Sequence, residues 1–186
     1  MVYGDGLENR CSCKGTVGSN PTPSATIYGL DFLYKTEGRY ELTKEEHYRK
    51  LERMYASAPT TKYYMSTIQV SEGHAEVILP VRHDFLHVAG TAHAAVYCKL
   101  LDEATVFAVS SVVHDVFVLT ASLNIYLTRP VSEGEEMKAI GRVVHCTRRL
   151  FIAEAELVDS DGREIARGSG IFMRSTIPLS PEIGYK

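Results

Sequence analysis

The feature that most constrains the fold is one long apolar helix that is followed by strands alone. The stretch HVAGTAHAAVYCKLLDEATVFAVSS, from His87 to Ser111, is apolar on most sides, which predicts a helix over residues 92–113 with Thr91 as its N-cap. The rest of the chain after this helix has the alternation and turns of hairpin strands. A parallel βαβ fold is therefore excluded, and the sequence predicts an α+β architecture in which an antiparallel sheet curls around one central helix.

The strands are predicted from alternation and turn residues. Residues 67–81 form two strands around a turn at Glu72 and Gly73. In the strand after the helix, one face is predicted to carry Phe117, Leu119, Ala121, Leu123, Ile125 and Leu127, and the other Thr120, Ser122, Asn124, Tyr126 and Thr128. Gly168 and Gly170 in the last strand predict close approach of another backbone.

An additional helix precedes the sheet. Residues 41–59 contain the capping box Thr43-x-x-Glu46, and Pro59 ends the segment. Its apolar side consists of Leu51, Met54 and Tyr55, so we expect the helix to lie across an edge of the sheet.

The 186 residues divide into three parts. Residues 1–41 are predicted to be a poorly structured extension, residues 42–176 the folded domain and residues 177–186 a C-terminal tail. The segment from Gly15 to Ala25 reads like the translated 3′ half of a transfer-RNA gene, which suggests an artefact of the gene start. The true start would then lie between about residues 26 and 42, and intact-mass analysis of the native protein tests this.

Composition excludes several classes of function. A net charge of −3 without a basic cluster gives no sign of nucleic-acid binding. The apolar helix carries Lys99, Asp102 and Glu103 at its centre, which argues against a membrane span. Four cysteines without a signal peptide predict reduced thiols in the cytoplasm, with Cys98 and Cys146 acting as small apolar residues. His83, His87 and His93 lack the spacing of metal ligands, so no metal is expected.

Asp102 is the residue in the helix that requires an explanation, because a buried carboxylate costs several kcal/mol unless it is paired or used. Lys99 and Glu103 are spaced to pair with each other as the polar exit of the helix, which leaves Asp102 without an obvious partner within the helix. His93 lies nine residues before Asp102, about 13.5 Å along the axis and on the opposite face. A site that uses both residues therefore needs two subunits with antiparallel helices, as in a two-fold dimer.

Three motifs resemble one known family. Gly90-Thr91-Ala92-His93 followed by Asp102, the strand LNIYLTRP from Leu123 to Pro130, and the closing stretch VVHCTRRLFIAEAELVDSDGREIARGSGIFM are similar to the PaaI-like branch of the hotdog-fold acyl-CoA thioesterases. The resemblance covers about residues 43–175. It implies the hotdog fold and hydrolysis of acyl-CoA thioesters to the free acid and CoA.

The resemblance also implies a role for individual residues. Asp102 would be the general base that activates water, or the nucleophile, and Thr120 would help orient water across the dimer interface. The N–H groups of Ala94 and Ala95 would bind the thioester oxygen at the positive end of the helix dipole, with His93 shaping that end of the site. Substrate and CoA would be bound by further residues, namely Gly90, Thr91, Asn124, Arg148 and Arg149.

The chain departs from the family pattern at two positions. His93-Ala94-Ala95 replaces the usual His-Gly-Gly, which would narrow the approach of the thioester to the backbone. His87 stands where the family often has asparagine, and its neutral imidazole could still donate one hydrogen bond.

The expected partners are an acyl-CoA substrate and further copies of the chain, as a homodimer that pairs into a tetramer, with no nucleic acid, membrane or cofactor beyond the CoA of the substrate. Two alternatives remain. A hotdog dehydratase or hydratase would show a catalytic histidine in a Gly/Pro-rich approach loop, which this chain lacks. A non-catalytic acyl-CoA-binding protein would keep the pocket without turnover, and Asp102 favours the enzyme over it.

Overall fold

The computed structural model describes residues 42–186, so the expected N-terminal extension and the gene-start hypothesis lie outside it. Its helices are α1 (Lys44–Ser57), α2 (Pro59–Tyr64) and α3 (Ala94–Ser110). Its strands are β1 (Thr67–Ser71), β2 (His74–Pro80), β3 (Val116–Leu127), β4 (Glu136–Cys146), β5 (Leu150–Val158) and β6 (Glu164–Pro178). All strand pairs are antiparallel, in the order β1-β2-β4-β5-β6-β3.

The six-stranded sheet packs around α3, as predicted. Leu100, Leu101, Ala104 and Ala108 of the helix are fully buried, as are Val77, Ala139, Leu157 and Phe172 of the strands. The apolar face of α3 and the inner face of the sheet therefore form one core, and β3 is left at one edge of the sheet.

Three details of the prediction are wrong. The N-cap of α3 is His93 rather than Thr91, and the helix is shorter than expected at both ends. In β3 the single alternation fails because the register against β6 shifts between Thr120 and Ser122, which leaves Ala121 as an extra residue. Thr120 pairs with the buried Phe172 on the inner face, whereas Leu119 is 48% exposed.

Helix α1 lies against the edge strand β1, as predicted. Its N-cap is Thr43, whose hydroxyl accepts a hydrogen bond from the N–H of Glu46. On β1, the Val70 N–H donates to a Glu52 carboxylate oxygen at 2.8 Å, and the Val70 carbonyl accepts from Arg49 at 2.9 Å. Side chains of α1 therefore take the place of a further strand at this position.

The C-terminal segment is attached to α1 through a buried histidine. His47 Nε2 lies 3.0 Å from the Ser110 carbonyl, so Nε2 donates there and Nδ1 of the neutral ring accepts from the Tyr185 hydroxyl at 2.6 Å. Burial is the main reason that the pKa of His47 is lowered, and the nearby His114 lowers it further. The predicted tail, residues 177–186, thus includes one side chain that is bound in the core.

Replacing Tyr185 by phenylalanine is expected to lower the free energy of unfolding by about 1–3 kcal/mol, because the buried Nδ1 of His47 loses its donor. Urea denaturation measures this. Tyr63→Phe is the matched control, since Tyr63 is 56% exposed and the loss of its surface hydroxyl should have a much smaller effect. Equal stability of the Tyr185 variant and the native chain would contradict the assignment of this hydrogen bond.

Candidate active site

Asp102 and Thr120 form the central pair of the candidate site. Asp102 lies in the middle of α3 on the side that faces β3, where the β-bulge at Ala121 turns Thr120 inward. The Thr120 hydroxyl donates to Asp102 Oδ1 at 2.7 Å. Among residues 42–186 no donor contacts Oδ2, so this oxygen is free to accept a proton from water.

The environment of Asp102 changes its acidity. The side chain is half-buried, and this burial raises the pKa of the carboxyl group. The hydrogen bond from Thr120 acts in the opposite direction but does not cancel the effect of burial. A carboxylate with a raised pKa is a better proton acceptor than an ordinary surface aspartate.

Lys99 and Glu103 pair with each other, as predicted, and leave Asp102 without a salt bridge. The pair is not a solvent-exposed exit of the helix, however, because only 10% and 17% of the two side chains are exposed. The Tyr55 hydroxyl donates to Glu103 Oε2 at 2.7 Å, and Lys99 Nζ donates to the Ser66 hydroxyl at 3.1 Å. These contacts attach α3 to the α1 side of the fold.

The start of α3 is the second part of the candidate site. His93 Nδ1 accepts a hydrogen bond from the Ala95 N–H at 3.1 Å, which leaves Nε2 as the proton-bearing nitrogen of the neutral ring. In this conformation the Ala95 N–H is therefore occupied by its hydrogen bond to His93 and is not available to a substrate oxygen. Within the described part of the chain the Ala94 N–H has no partner, so it is the free backbone donor at this helix end.

The loop before α3 is folded by the predicted residues His87, Gly90 and Thr91. His87 Nδ1 accepts from the Ala89 N–H at 3.0 Å, so Nε2 carries the proton and donates to the Thr91 hydroxyl at 2.9 Å. Gly90 has a φ of 80°, a conformation that favours glycine. Both ring nitrogens of His87 are thus engaged in holding the loop, with its ring 6.5 Å from that of His93.

The remaining predicted residues lie apart from both groups. Asn124 pairs with Ser169 on the outer face of the sheet, opposite to the side that carries Thr120. Arg148 and Arg149 are exposed in the turn between β4 and β5, which the Thr147 hydroxyl closes by accepting from the N–H of Leu150. Within one chain, therefore, the predicted residues form two separate groups. The first is the pair of Asp102 and Thr120, and the second lies at the start of α3 and consists of His87, Gly90, Thr91, His93, Ala94 and Ala95.

Sequence reasoning missed one neighbour of Asp102. Cys98 is half-buried and precedes Asp102 by four residues on the same side of α3, which is the spacing that could have identified it. Among residues 42–186 no group of three or more potential metal ligands is present. None of the described helices is long and apolar enough to cross a membrane.

Residues 89–166 match the family model of the thioesterase superfamily, whereas no curated protein matches the chain. Among solved structures, the PaaI protein of the Escherichia coli phenylacetic acid degradation operon aligns with a TM-score of 0.69 and 20% identity, over 75% of this chain and 100% of that one. A mutant of the phenylacetic acid degradation protein PaaI from Thermus thermophilus aligns with a TM-score of 0.59 and 26% identity, over 63% and 100% of the two chains.

A Streptococcus mutans protein that was solved with acetyl CoA bound aligns with a TM-score of 0.52 and 21% identity, over 57% of this chain and 86% of that one. Together with the antiparallel sheet around α3, these similarities confirm the predicted hotdog fold and the resemblance to PaaI-like proteins.

Proposed function

We propose that this chain hydrolyses acyl-CoA thioesters to the free acid and CoA, because residues 89–166 match the thioesterase superfamily and the fold is the hotdog fold of PaaI-like proteins. The observation that carries the proposal is the Asp102–Thr120 pair, a half-buried carboxylate with a raised pKa and one oxygen free. In this mechanism Asp102 takes a proton from water as the water oxygen attacks the thioester carbonyl. The tetrahedral intermediate then breaks its C–S bond, which releases the free acid and the CoA thiolate, and the thiolate takes the proton from Asp102. Thr120 holds the carboxylate in position through Oδ1.

The thioester carbonyl would be bound at the start of α3. The Ala94 N–H is free there and lies at the positive end of the helix dipole, which stabilises the negative charge that develops on the oxygen. His93 contributes Nε2–H as a second donor, since the Ala95 N–H fixes this tautomer. His87, Gly90 and Thr91 fix the conformation of the loop that leads to these donors.

We propose that the complete site forms between two copies of the chain. Strand β3 is an edge strand of 12 residues with exposed Leu119, Tyr126 and Leu127, and such an edge favours pairing with another strand. Antiparallel pairing of two β3 strands about a two-fold axis would place Asp102 of one protomer near the α3 start of the other. We further propose that two such dimers assemble into a tetramer.

CoA enters this proposal as part of the substrate, and no separate cofactor is needed. Arg148 and Arg149 are exposed and have no ion-pair partner within residues 42–186, so they are available for the CoA phosphates. Asn124 lies on the outer face of β3, on the opposite side of the sheet from Thr120, so it has no role in this arrangement. The acetyl CoA in the Streptococcus mutans structure supports this class of ligand.

The experiment that tests the function is a panel of acyl-CoAs assayed by release of free CoA thiol. We expect turnover of at least one medium-chain or aromatic acyl-CoA. Binding without turnover across the panel would contradict hydrolysis and favour an acyl-CoA-binding protein. Formation of a hydrated product from an enoyl-CoA would instead favour the hydratase alternative.

The pH dependence of hydrolysis tests the role of Asp102 as base. Only the ionised carboxylate can accept a proton, and burial raises the pKa of Asp102 above its ordinary value of 3.8. We therefore expect kcat/KM to fall on the acid side at a pH clearly above 3.8. Because the Thr120 hydrogen bond lowers this pKa, Thr120→Val should move the acid limb to higher pH. An acid limb that does not move would show that Asp102 is not the titrating base.

A further inference from the structure

Cys98 lies one helical turn before Asp102 on the same side of α3, and residues four apart on a helix are neighbours. Its thiol is free and half-buried. Burial raises the pKa of this thiol, and the negative charge of Asp102 raises it further, as expected for adjacent side chains. Cys98 is therefore placed to contact whatever group lies beside the carboxylate.

The same side of α3 continues one turn beyond Asp102 with Val106, which is buried in the core. Two uncharged side chains thus flank the carboxylate along the helix. The nearest lysine in sequence, Lys99, is held on another side of α3 by Glu103 and Ser66, with its ammonium group 4.7 Å from the centre of the Tyr64 ring. Among residues 42–186, burial and Thr120 shift the pKa of Asp102, and no cation contributes.

We propose that Cys98 is a specificity-determining residue and that the acyl group of the substrate packs against Cys98 on this side of α3. This inference rests on the proposed function, because it places the reacting carbonyl beside Asp102. An acyl chain that extends from that carbonyl meets uncharged surface, so the substrate class is an uncharged, apolar acyl group. The small side chain of Cys98 then determines how much bulk fits next to the thioester.

Steady-state kinetics on matched substrates test the substrate class and the residue together. Valeryl-CoA and glutaryl-CoA have the same chain length, and we expect kcat/KM to favour valeryl-CoA by at least about tenfold. Cys98→Leu should lower kcat/KM for decanoyl-CoA relative to acetyl-CoA by at least about tenfold, whereas Cys98→Ala should not. Val112→Leu adds a methylene group beyond the end of α3 and should leave the ratio unchanged. An unchanged ratio in a folded Cys98→Leu variant, or a preference for glutaryl-CoA, would overturn the inference.

Thiol labelling of the native chain tests the same contact without requiring turnover or a substitution. The labelling rate of Cys98 by a maleimide, followed by peptide mass spectrometry, is measured with the non-hydrolysable thioethers S-octyl-CoA and S-methyl-CoA. At saturation S-octyl-CoA should slow the labelling at least about tenfold and S-methyl-CoA much less. Equal labelling with both thioethers at saturation would overturn the inference. Protection by S-octyl-CoA in a protein that hydrolyses none of the acyl-CoAs would refute the proposed function while supporting the acyl contact.

Discussion

Replacing Asp102 by asparagine is expected to lower kcat by about 10²–10⁴-fold, the range for loss of a general base. Asparagine keeps an oxygen that can accept from Thr120 but cannot take a proton from water. The measurement is free-thiol release on the best acyl-CoA of the panel. Asp161→Asn is the matched control, because Asp161 is exposed in the turn between β5 and β6 and should leave kcat unchanged.

The same substitution should raise stability at neutral pH. The pKa of Asp102 is higher in the folded chain than its ordinary value of 3.8, so the folded state binds the proton more tightly than the unfolded state. The ionised carboxylate therefore lowers the free energy of unfolding at pH 7, and this effect fades as the pH falls through the folded pKa. Urea denaturation should show Asp102→Asn more stable than the native chain at pH 7, with the gain shrinking towards acid pH. A less stable variant at pH 7 with full activity would contradict both parts.

Replacing Gly141 by alanine is expected to lower the free energy of unfolding by about 3 kcal/mol or more, at the upper end for overpacking. Gly141 lies in β4 where the sheet touches α3, and an added Cβ would lie 2.2 Å from the Ala104 carbonyl oxygen and 2.4 Å from its carbon. Both atoms belong to the backbone of α3, so the clash cannot be relieved by rotation of a side chain. At fixed protein concentration, the melting temperature should fall by about 6–12 °C.

Gly168→Ala provides a graded control for this prediction. An added Cβ there would lie 3.1 Å from the Asn124 carbonyl oxygen and 3.2 Å from Ile125 Cγ2, distances that small shifts can relieve. We expect a loss of about 1 kcal/mol at this position. A loss at Gly168 equal to that at Gly141 would show that the helix does not press on β4 as described.

The fold was predictable from periodicity, because one apolar helix and hairpin strands leave few arrangements. The sequence also predicted the cap at Thr43 and the pair of Lys99 with Glu103, which depend on residues only three or four positions apart. The predicted N-cap of α3 was wrong because Thr91, a common capping residue, instead contacts the ring of His87 in the preceding loop. The burial of the Lys99–Glu103 pair depends on Tyr55 and Ser66, which are distant in sequence.

The site was predictable in part. Burial of Asp102 followed from its apolar flanks. Its hydrogen bond with Thr120 was not predicted, because the family resemblance gave Thr120 only a role in orienting water across the dimer interface. The inward direction of Thr120 depends on the β-bulge at Ala121, and this irregularity exists only in the pairing of β3 with β6. The sequence does not show which part of the wide apolar face of α3 meets the sheet, and Val96, Tyr97 and Leu100 are buried in the core. Gly141 escaped notice for the same reason.

The contacts of Arg49 and Glu52 with Val70 have a consequence for self-association. They occupy a main-chain carbonyl and amide of the edge strand β1, so addition of a further strand is obstructed there. Within residues 42–186, the sheet can then be extended only along β3. When two molecules pair through β3, neither keeps a free strand edge, so the assembly stops at a dimer of the sheet. This asymmetry protects the chain against open-ended polymerisation into fibres.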